Sequence, residues 1–155
     1  YTQCNLFMNV LCNNKKSSFK YSFVKKIEAG LVLSGWEVKS LKDGNGQISE
    51  SYISVKKDEL FLCNAHIKAI NIKNNHEHQN PTQNRKLLLN RKEINMLQGQ
   101  SSLKGLTIVP IKLYTKKGII KLEIALAKGK KLFDKRQDEK RKDWNRQKDR
   151  LSKLK

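Results

Sequence analysis

Apolar residues occupy every second position at Val109, Ile111 and Leu113, and again at Ile120, Leu122, Ile124 and Leu126. Alternation of this period turns one face of a chain to a core and the other to solvent. It predicts strands over residues 106–114 and 119–127. Residues 115–118 (TKKG) are the hairpin between them, with Gly118 free to take positive φ. Pro110 has no N–H for a ladder and so marks an edge or a bulge. Phe19, Tyr21 and Phe23 alternate in the same way and predict a strand over 19–27. Residues 47–55 and 59–63 predict two more strands, with Lys57 and Asp58 as a hairpin turn.

Helical spacing is weaker. Val32, Leu33, Trp36 and Ser40 predict a helix over about 29–41, ended by Asp43 and Gly44, although Leu31 and Leu33 also alternate. Asn90 followed by Glu93 has the form of a capping box, and predicts a helix over about 91–98 that stops at Gly99. Residues 71–84 are rich in Asn, His and Gln and predict a loop. The polar run at residues 13–18 predicts a flexible lead-in. Residues 1–12 lack the charged start and long apolar centre of a secretory signal, and Met8 is a candidate start. Five or six short antiparallel strands with two or three helices predict a mainly β fold with flanking helices, a small closed or partly open barrel. The expected organisation is a flexible segment at 1–18, a barrel domain at 19–127 and a basic tail at 128–155.

Charge changes the picture most. The chain has 155 residues and carries 33 Lys and Arg against 14 Asp and Glu, a formal charge of +19. Such a domain repels itself, and a polyanion relieves the repulsion. Nucleic acid is the expected polyanion, through phosphate contacts and counterion release. A membrane surface would call for a wide amphipathic face, which is missing. The tail concentrates the charge: residues 128–155 hold 13 basic and 5 acidic side chains with five large apolar ones. That composition predicts a segment disordered when free. It contains no Pro, however, and Asp138 with Lys142, and Asp149 with Lys153, are helix-supporting pairs. Phe133, Trp144 and Leu151 fall on one narrow line of a helix. The expectation is a tail that becomes helical on RNA, its aromatics stacking on bases while cations hold phosphate.

Catalytic and metal chemistry find little support. His76, Glu77 and His78 lack a nearby Cys and read as a polar loop. His66 reads as a packing or RNA-contact residue. Ser49, Ser51 and His66 sit in no nucleophile elbow, and Gly44–Gly46 lacks the rest of a phosphate loop. Three cysteines with no C-x-x-C spacing form neither a disulfide framework nor a zinc ribbon. The expectation is a non-enzyme with no cofactor and no metal.

Four blocks carry a family resemblance: EAGLVLSGWEVKSLKDGNGQISESY (28–52), RKLLLNRKEI (85–94), GLTIVPIKLY (105–114) and ALAKGKKLFDKR (125–136). In order and spacing, over about residues 13–150, they resemble the signature blocks of the SsrA-binding (tmRNA-binding, small protein B) family. The resemblance implies an oligonucleotide-binding-type β-barrel that binds the tRNA-like domain of transfer-messenger RNA. It also implies a basic tail that enters the decoding region and empty mRNA channel of a stalled ribosome, for trans-translation. Small-subunit ribosomal RNA is then a partner, and elongation factor Tu another through the charged transfer-messenger RNA. The expected state is a monomer in the bacterial cytoplasm or in an organelle of bacterial origin, with no membrane partner.

By motif, Glu37, Leu88 and Asn90 correspond to RNA-contact positions, expected to share one exposed face. Lys39, Arg85, Lys86, Arg91, Lys128, Lys130 and Lys131 join them as basic contacts. Phe133, Asp134, Lys135, Arg136, Lys140, Arg141 and Trp144 are assigned to the ribosome-binding tail. Many members have His or Tyr where this chain has Phe133, which keeps stacking but loses a hydrogen-bonding edge. From the residues alone, Glu37 reads equally as a surface helix residue and Asn90 as a helix cap. A ribosomal or assembly protein binding ribosomal RNA through a similar barrel is the alternative.

Overall fold

The computed structural model describes residues 8–70, 79–130 and 132–153, with side chains from residue 136 onward in the last stretch. In chain order the elements are β1 (Met8–Asn13), α1 (Lys15–Lys20), β2 (Tyr21–Leu31), α2 (Gly35–Lys42), β3 (Gly46–Gln47), β4 (Tyr52–Lys56) and β5 (Glu59–Cys63). They continue with β6 (His66–Ile67), β7 (Arg85–Leu88), α3 (Arg91–Lys104), β8 (Thr107–Lys116), β9 (Ile119–Gly129) and α4 (Leu132–Lys153). Seven strands form one antiparallel sheet in the order β1-β8-β9-β2-β7-β5-β4, and β3 pairs with β6 apart from it.

The fold is mainly β with flanking helices, as the alternation predicts, but the sheet does not close. β4 approaches β8 without a ladder between them. The local chemistry of β8 accounts for the gap. Pro110 has no donor, the Pro110 carbonyl accepts from the Asn14 side chain at 3.0 Å, and the Ile111 carbonyl accepts from the Asn14 amide at 2.8 Å. That part of β8 has few groups left to offer a new neighbour. The register slips between Pro110 and Lys112, the bulge that proline signals.

The core follows the strand period. Leu122, Ile124 and Leu126 are fully buried, and Leu60, Leu62, Leu87, Leu97 and Leu113 pack with them. Val109, Ile111, Ala125 and Ala127 form a second cluster, covered by Tyr21 and Phe23. Burial pushes the Cys12 thiol up to about 11, so that sulfur is a packing group and not a nucleophile.

Several expected boundaries move. Residues 13–18 are no flexible lead-in: β1 pairs with β8, and Asn14 caps α1 by accepting from the Ser17 amide at 3.2 Å. The polar run is a cap plus a short helix, a use of Asn and Ser that composition alone does not distinguish from a loop. Phe19 accordingly lies in α1, and β2 begins at Tyr21. The helix predicted from residue 29 starts at Gly35, because Ala29 and Gly30 pair with Leu122 and Lys121 as strand. The strand predicted over 47–55 is broken where the Ser51 amide bonds the Ile48 carbonyl at 3.1 Å. α3 runs through Gly99 to Lys104 and ends at Gly105 in the left-handed region (φ 62°). Gly99 weakens a helix without stopping it. The basic tail forms the 22-residue helix α4. The loop expected over 71–84 lies largely outside the described residues, as do His76, Glu77 and His78.

A buried ion pair fastens α2 to β7. The side chains of Glu37 and Arg85 are each 1% exposed. Glu37 accepts from Arg85 Nε, from the Gln83 side chain and from the Ser34 amide. Arg85 also donates to the carbonyls of Ala65 (2.6 Å) and Pro81 (3.0 Å). No buried side-chain polar atom among the described residues lacks a partner. Glu37→Ala would strand a buried guanidinium and is expected to cost about 3–5 kcal/mol, read from urea unfolding. Replacing both partners, Glu37→Leu with Arg85→Met, should cost less than the single change. A single-variant loss below about 1 kcal/mol would remove this pair from the folding argument.

Candidate nucleic-acid interface

β2 and β7 meet at Gly30 opposite Leu88 and Leu31 opposite Leu87. Leu87 points into the core and Leu88 outward, 53% exposed, which is the strand alternation applied to three consecutive leucines. A Cβ on Gly30 would lie 3.2 Å from Leu88 Cβ, so the glycine leaves room beside the leucine. Two residues on, Asn90 caps α3, and the Glu93 carboxylate accepts from its amide at 3.1 Å. Glu28, Gly30, Leu88, Leu89, Asn90, Glu93 and Lys121 line one open recess.

The recess combines an apolar floor, an amide side chain, two carboxylates and one ammonium. The Tyr114 hydroxyl donates to Glu28 and holds its carboxyl below the usual range, helped by Lys116 and Lys121. Tyr114 itself is pushed up, first by burial and then by that bond. Glu28 is therefore ionised at neutral pH and keeps acceptor capacity toward the recess. In a chain of charge +19 an exposed carboxylate is conspicuous. Phosphate would avoid it, whereas amino groups of bases and ribose hydroxyls would seek it.

The expected site residues divide. Leu88 and Asn90 line one recess. Glu37 does not join them, and the expectation that it is exposed is corrected: it is 1% exposed and spent on Arg85. Helical period accounts for this, since the buried residues of α2 are Trp36, Glu37, Ser40 and Leu41, one continuous face. Arg85 is likewise a buried tie and not an open phosphate contact. Lys86 pairs with Glu59 at 2.9 Å and Arg91 with Asp58 at 3.3 Å, both at the surface. Lys39 and Lys128 are exposed.

Glu28, which the motif assignment did not name, lines the same recess. Its signal was present: in β2 it shares a strand face with Gly30, the position opposite Leu88.

In the tail, Lys130 pairs with Asp138, and the expected Asp138–Lys142 pair is replaced by this contact. Lys142 lies instead over the Phe19 ring at 5.6 Å. Arg136, Lys140, Arg141 and Trp144 are exposed, with Trp144 at 57% and Lys148 over its ring. Lys131 and the side chains of Phe133, Asp134 and Lys135 lie outside the described residues. Among the described residues no helix is long and apolar enough to cross a membrane. None of them forms a group of three or more His, Cys, Asp or Glu suited to a metal ion.

Comparison with known proteins agrees with these features. The SmpB protein family profile matches residues 11–154. An SsrA-binding protein of Ruthia magnifica subsp. Calyptogena magnifica is 51% identical over 146 residues, which is 94% of this chain and 88% of that protein. One from Chromohalobacter salexigens is 47% identical, covering 95% of this chain and 94% of that protein. A chain in a solved structure described as "tmRNA-SmpB: a journey to the center of the bacterial ribosome" has 36% identity and a TM-score of 0.62. That match covers 77% of this chain and 84% of the other. An open antiparallel sheet with Leu88 and Asn90 beside a strand glycine, a basic C-terminal helix and these matches lead to one assignment: the chain belongs to the SmpB protein family.

Proposed function

We propose that this chain binds the tRNA-like domain of transfer-messenger RNA and delivers it to stalled ribosomes for trans-translation. Membership of the SmpB family is the observation that carries the reading. The recess at the β2–β7 junction supports it: Leu88 offers an apolar surface to an unstacked base, and Asn90 and Glu28 offer hydrogen bonds that discriminate bases from phosphate. Helix α4 takes the role of the ribosome-binding tail. Its 22 residues reach about 33 Å, enough to run from a decoding site along an empty message channel. Arg136, Lys140 and Arg141 hold ribosomal phosphate, and Trp144 stacks. The chain acts as a monomer in the cytoplasm, contributes no catalysis of its own, and meets elongation factor Tu through the charged transfer-messenger RNA.

Binding is expected to respond to the recess more than to general charge. Leu88→Ala or Asn90→Ala should weaken the tRNA-like-domain complex about 5- to 150-fold, the scale of about 1–3 kcal/mol for a lost base contact. Binding to random RNA should change little. Lys128→Ala should weaken both RNAs alike and lower the log–log salt slope by about 1. Titrations at several salt concentrations separate the two, and equal losses on both RNAs would remove the recess from the reading.

Glu28 gives a second test. Tyr114→Phe removes the first cause of its lowered pKa, so carboxyl NMR should show its titration rising toward the ordinary 4.5. The sign is that of a depressed acid: the native interaction is intact above the ordinary value and is lost as pH falls through the lowered one. An unchanged titration would mean that the tyrosine does not hold the carboxylate.

Truncation after Arg136 should leave the melting temperature and tRNA-like-domain affinity nearly intact, because the core clusters end with Ala127. It should abolish tagging of stalled chains on purified ribosomes. Trp144→Ala should lower tagging without moving the melting temperature. Loss of RNA binding equal to the loss of tagging would defeat the division of labour.

A further inference from the structure

The turn between α2 and β3 reads Asp43-Gly44-Asn45-Gly46, and it holds the chain's only Asn-Gly step and its only Asp-Gly step. Packing dictates the second glycine. A Cβ on Gly46 would collide with Leu41 Cδ2 and lie 2.9 Å from Cys12 Sγ, and both of those side chains are buried. Asn45 beside it is exposed. Asparagine before glycine is the step most open to attack by the backbone on its own side chain, because no Cβ shields the next amide nitrogen.

The two glycine amides are differently engaged. That of Gly44 donates to the Leu41 carbonyl at 3.0 Å. Gly46 stands opposite Ile67, and Gln47 opposite His66. In an antiparallel ladder, hydrogen-bonded pairs alternate with pairs whose amides face outward. The Lys68 amide donates to the Asn45 carbonyl at 3.1 Å, and the Ile67 amide turns away from β3 to the Pro81 carbonyl at 2.9 Å. Gly46 and Ile67 are therefore an outward-facing pair, and the Gly46 amide makes no ladder bond to β6. This ladder has two paired residues and stands apart from the main sheet, so it opens at little cost. Asn45 and Gly46 line an open recess with Gln47, His66 and Lys68. Water reaches them there, and the Lys68 ammonium favours negative charge on a deprotonated amide.

We propose that Asn45 is a self-modification site, which deamidates in the folded chain through a succinimide formed with Gly46. Hydroxide takes the Gly46 amide proton, and the nitrogen attacks Asn45 Cγ. The bond from Cγ to the side-chain nitrogen breaks, and that nitrogen leaves as ammonia with a proton from water. Water then adds to one of the two ring carbonyls and opens the ring, giving aspartate or isoaspartate. Nothing is oxidised or reduced. A carboxylate thereby replaces a neutral amide beside Lys68, and this basic surface loses one unit of charge. In the isoaspartate form the main chain runs through the former side chain. The extra methylene displaces the carbonyl that Lys68 bonds, so the start of β3 loosens from β6. None of this depends on which RNA the chain binds.

The test is a time course on the full chain at mildly alkaline pH, folded in buffer and unfolded in urea, read by peptide mapping with mass spectrometry. In the folded chain Asn45 should be lost faster than any other asparagine, at a rate proportional to hydroxide, with ammonia released and both aspartate and isoaspartate at position 45. Folding should slow that loss by less than about tenfold relative to urea, because the site opens locally. Isomerisation of Asp43, whose glycine amide is bonded, should be slowed by a larger factor. Cation-exchange chromatography should show an earlier-eluting form that grows with time and is missing from Asn45→Gln, where the longer side chain closes a less favoured ring. If the folded chain keeps Asn45 while the unfolded chain loses it, the fold protects the site and the proposal is overturned. Folding that slows Asp43 no more than Asn45 would refute the role given to the free amide.

Discussion

The Glu37–Arg85 pair is the constraint from which much else follows. Two charges at 1% exposure lose their water, a cost of several kcal/mol per ion that only dense pairing offsets. Each charge is therefore met on several sides: Ser34 and Gln83 on the carboxylate, Ala65 and Pro81 on the guanidinium. These partners come from the start of α2, from the segment after β5 and from the approach to β7. None can shift far without orphaning a buried charge. β7 begins at Arg85 and reaches Leu88 three residues later, so the pair sets where that leucine and the Asn90 cap stand against β2. A stability element thus determines the geometry of a surface it does not touch.

A second constraint is the net charge. With 33 cations and 14 anions, acids are too few to neutralise the surface, and several are placed as ties between elements. Glu50 joins Lys16 of α1, Glu28 joins Tyr114 and Lys116, Asp58 joins Arg91, and Asp138 joins Lys130. The remaining cations are left for phosphate. Self-repulsion among them is the cost of a high on-rate for a polyanion.

Legibility in the sequence depended on how many structures a local pattern permits. β8 and β9 were clear because seven large apolar side chains recur at every second position, although the bulge after Pro110 sends Val109 and Ile111 to a different cluster from Leu113. Residues 29–33 were not, since Ala29, Leu31 and Leu33 satisfy alternation while Val32, Leu33 and Trp36 satisfy a helix. Pairing of Ala29 with Leu122 decides it, and that partner is 93 positions away. The cap at Asn14 was read as a loop for the same reason: its justification is the Pro110 carbonyl, 96 residues distant. Between a closed and a partly open barrel the sequence left the choice open, because alternation reports a buried face and carries no information about edges; the sheet is open. The recess was half legible. Motif matching named Leu88 and Asn90, which line the recess, and Glu37, which is buried, although the face shared by Trp36, Glu37, Ser40 and Leu41 was there to be counted.

The open seam and the buried pair together account for where the sheet is held stiff. A sheet that closed on itself would hold its shape through a continuous ladder and need no side-chain tie. Here the ladder ends at β1 and β4, so the β2–β7 junction, with only two paired residues, is a weak link in the middle of the sheet. A two-residue ladder alone would hold Leu88 loosely. Arg85, locked at the start of that short strand, and the Asn90–Glu93 box, locked at its end, replace the missing ladder length. Rigidity is thereby supplied at both ends of the strand that carries the recess, and hydrogen-bond discrimination depends on donors and acceptors held in place.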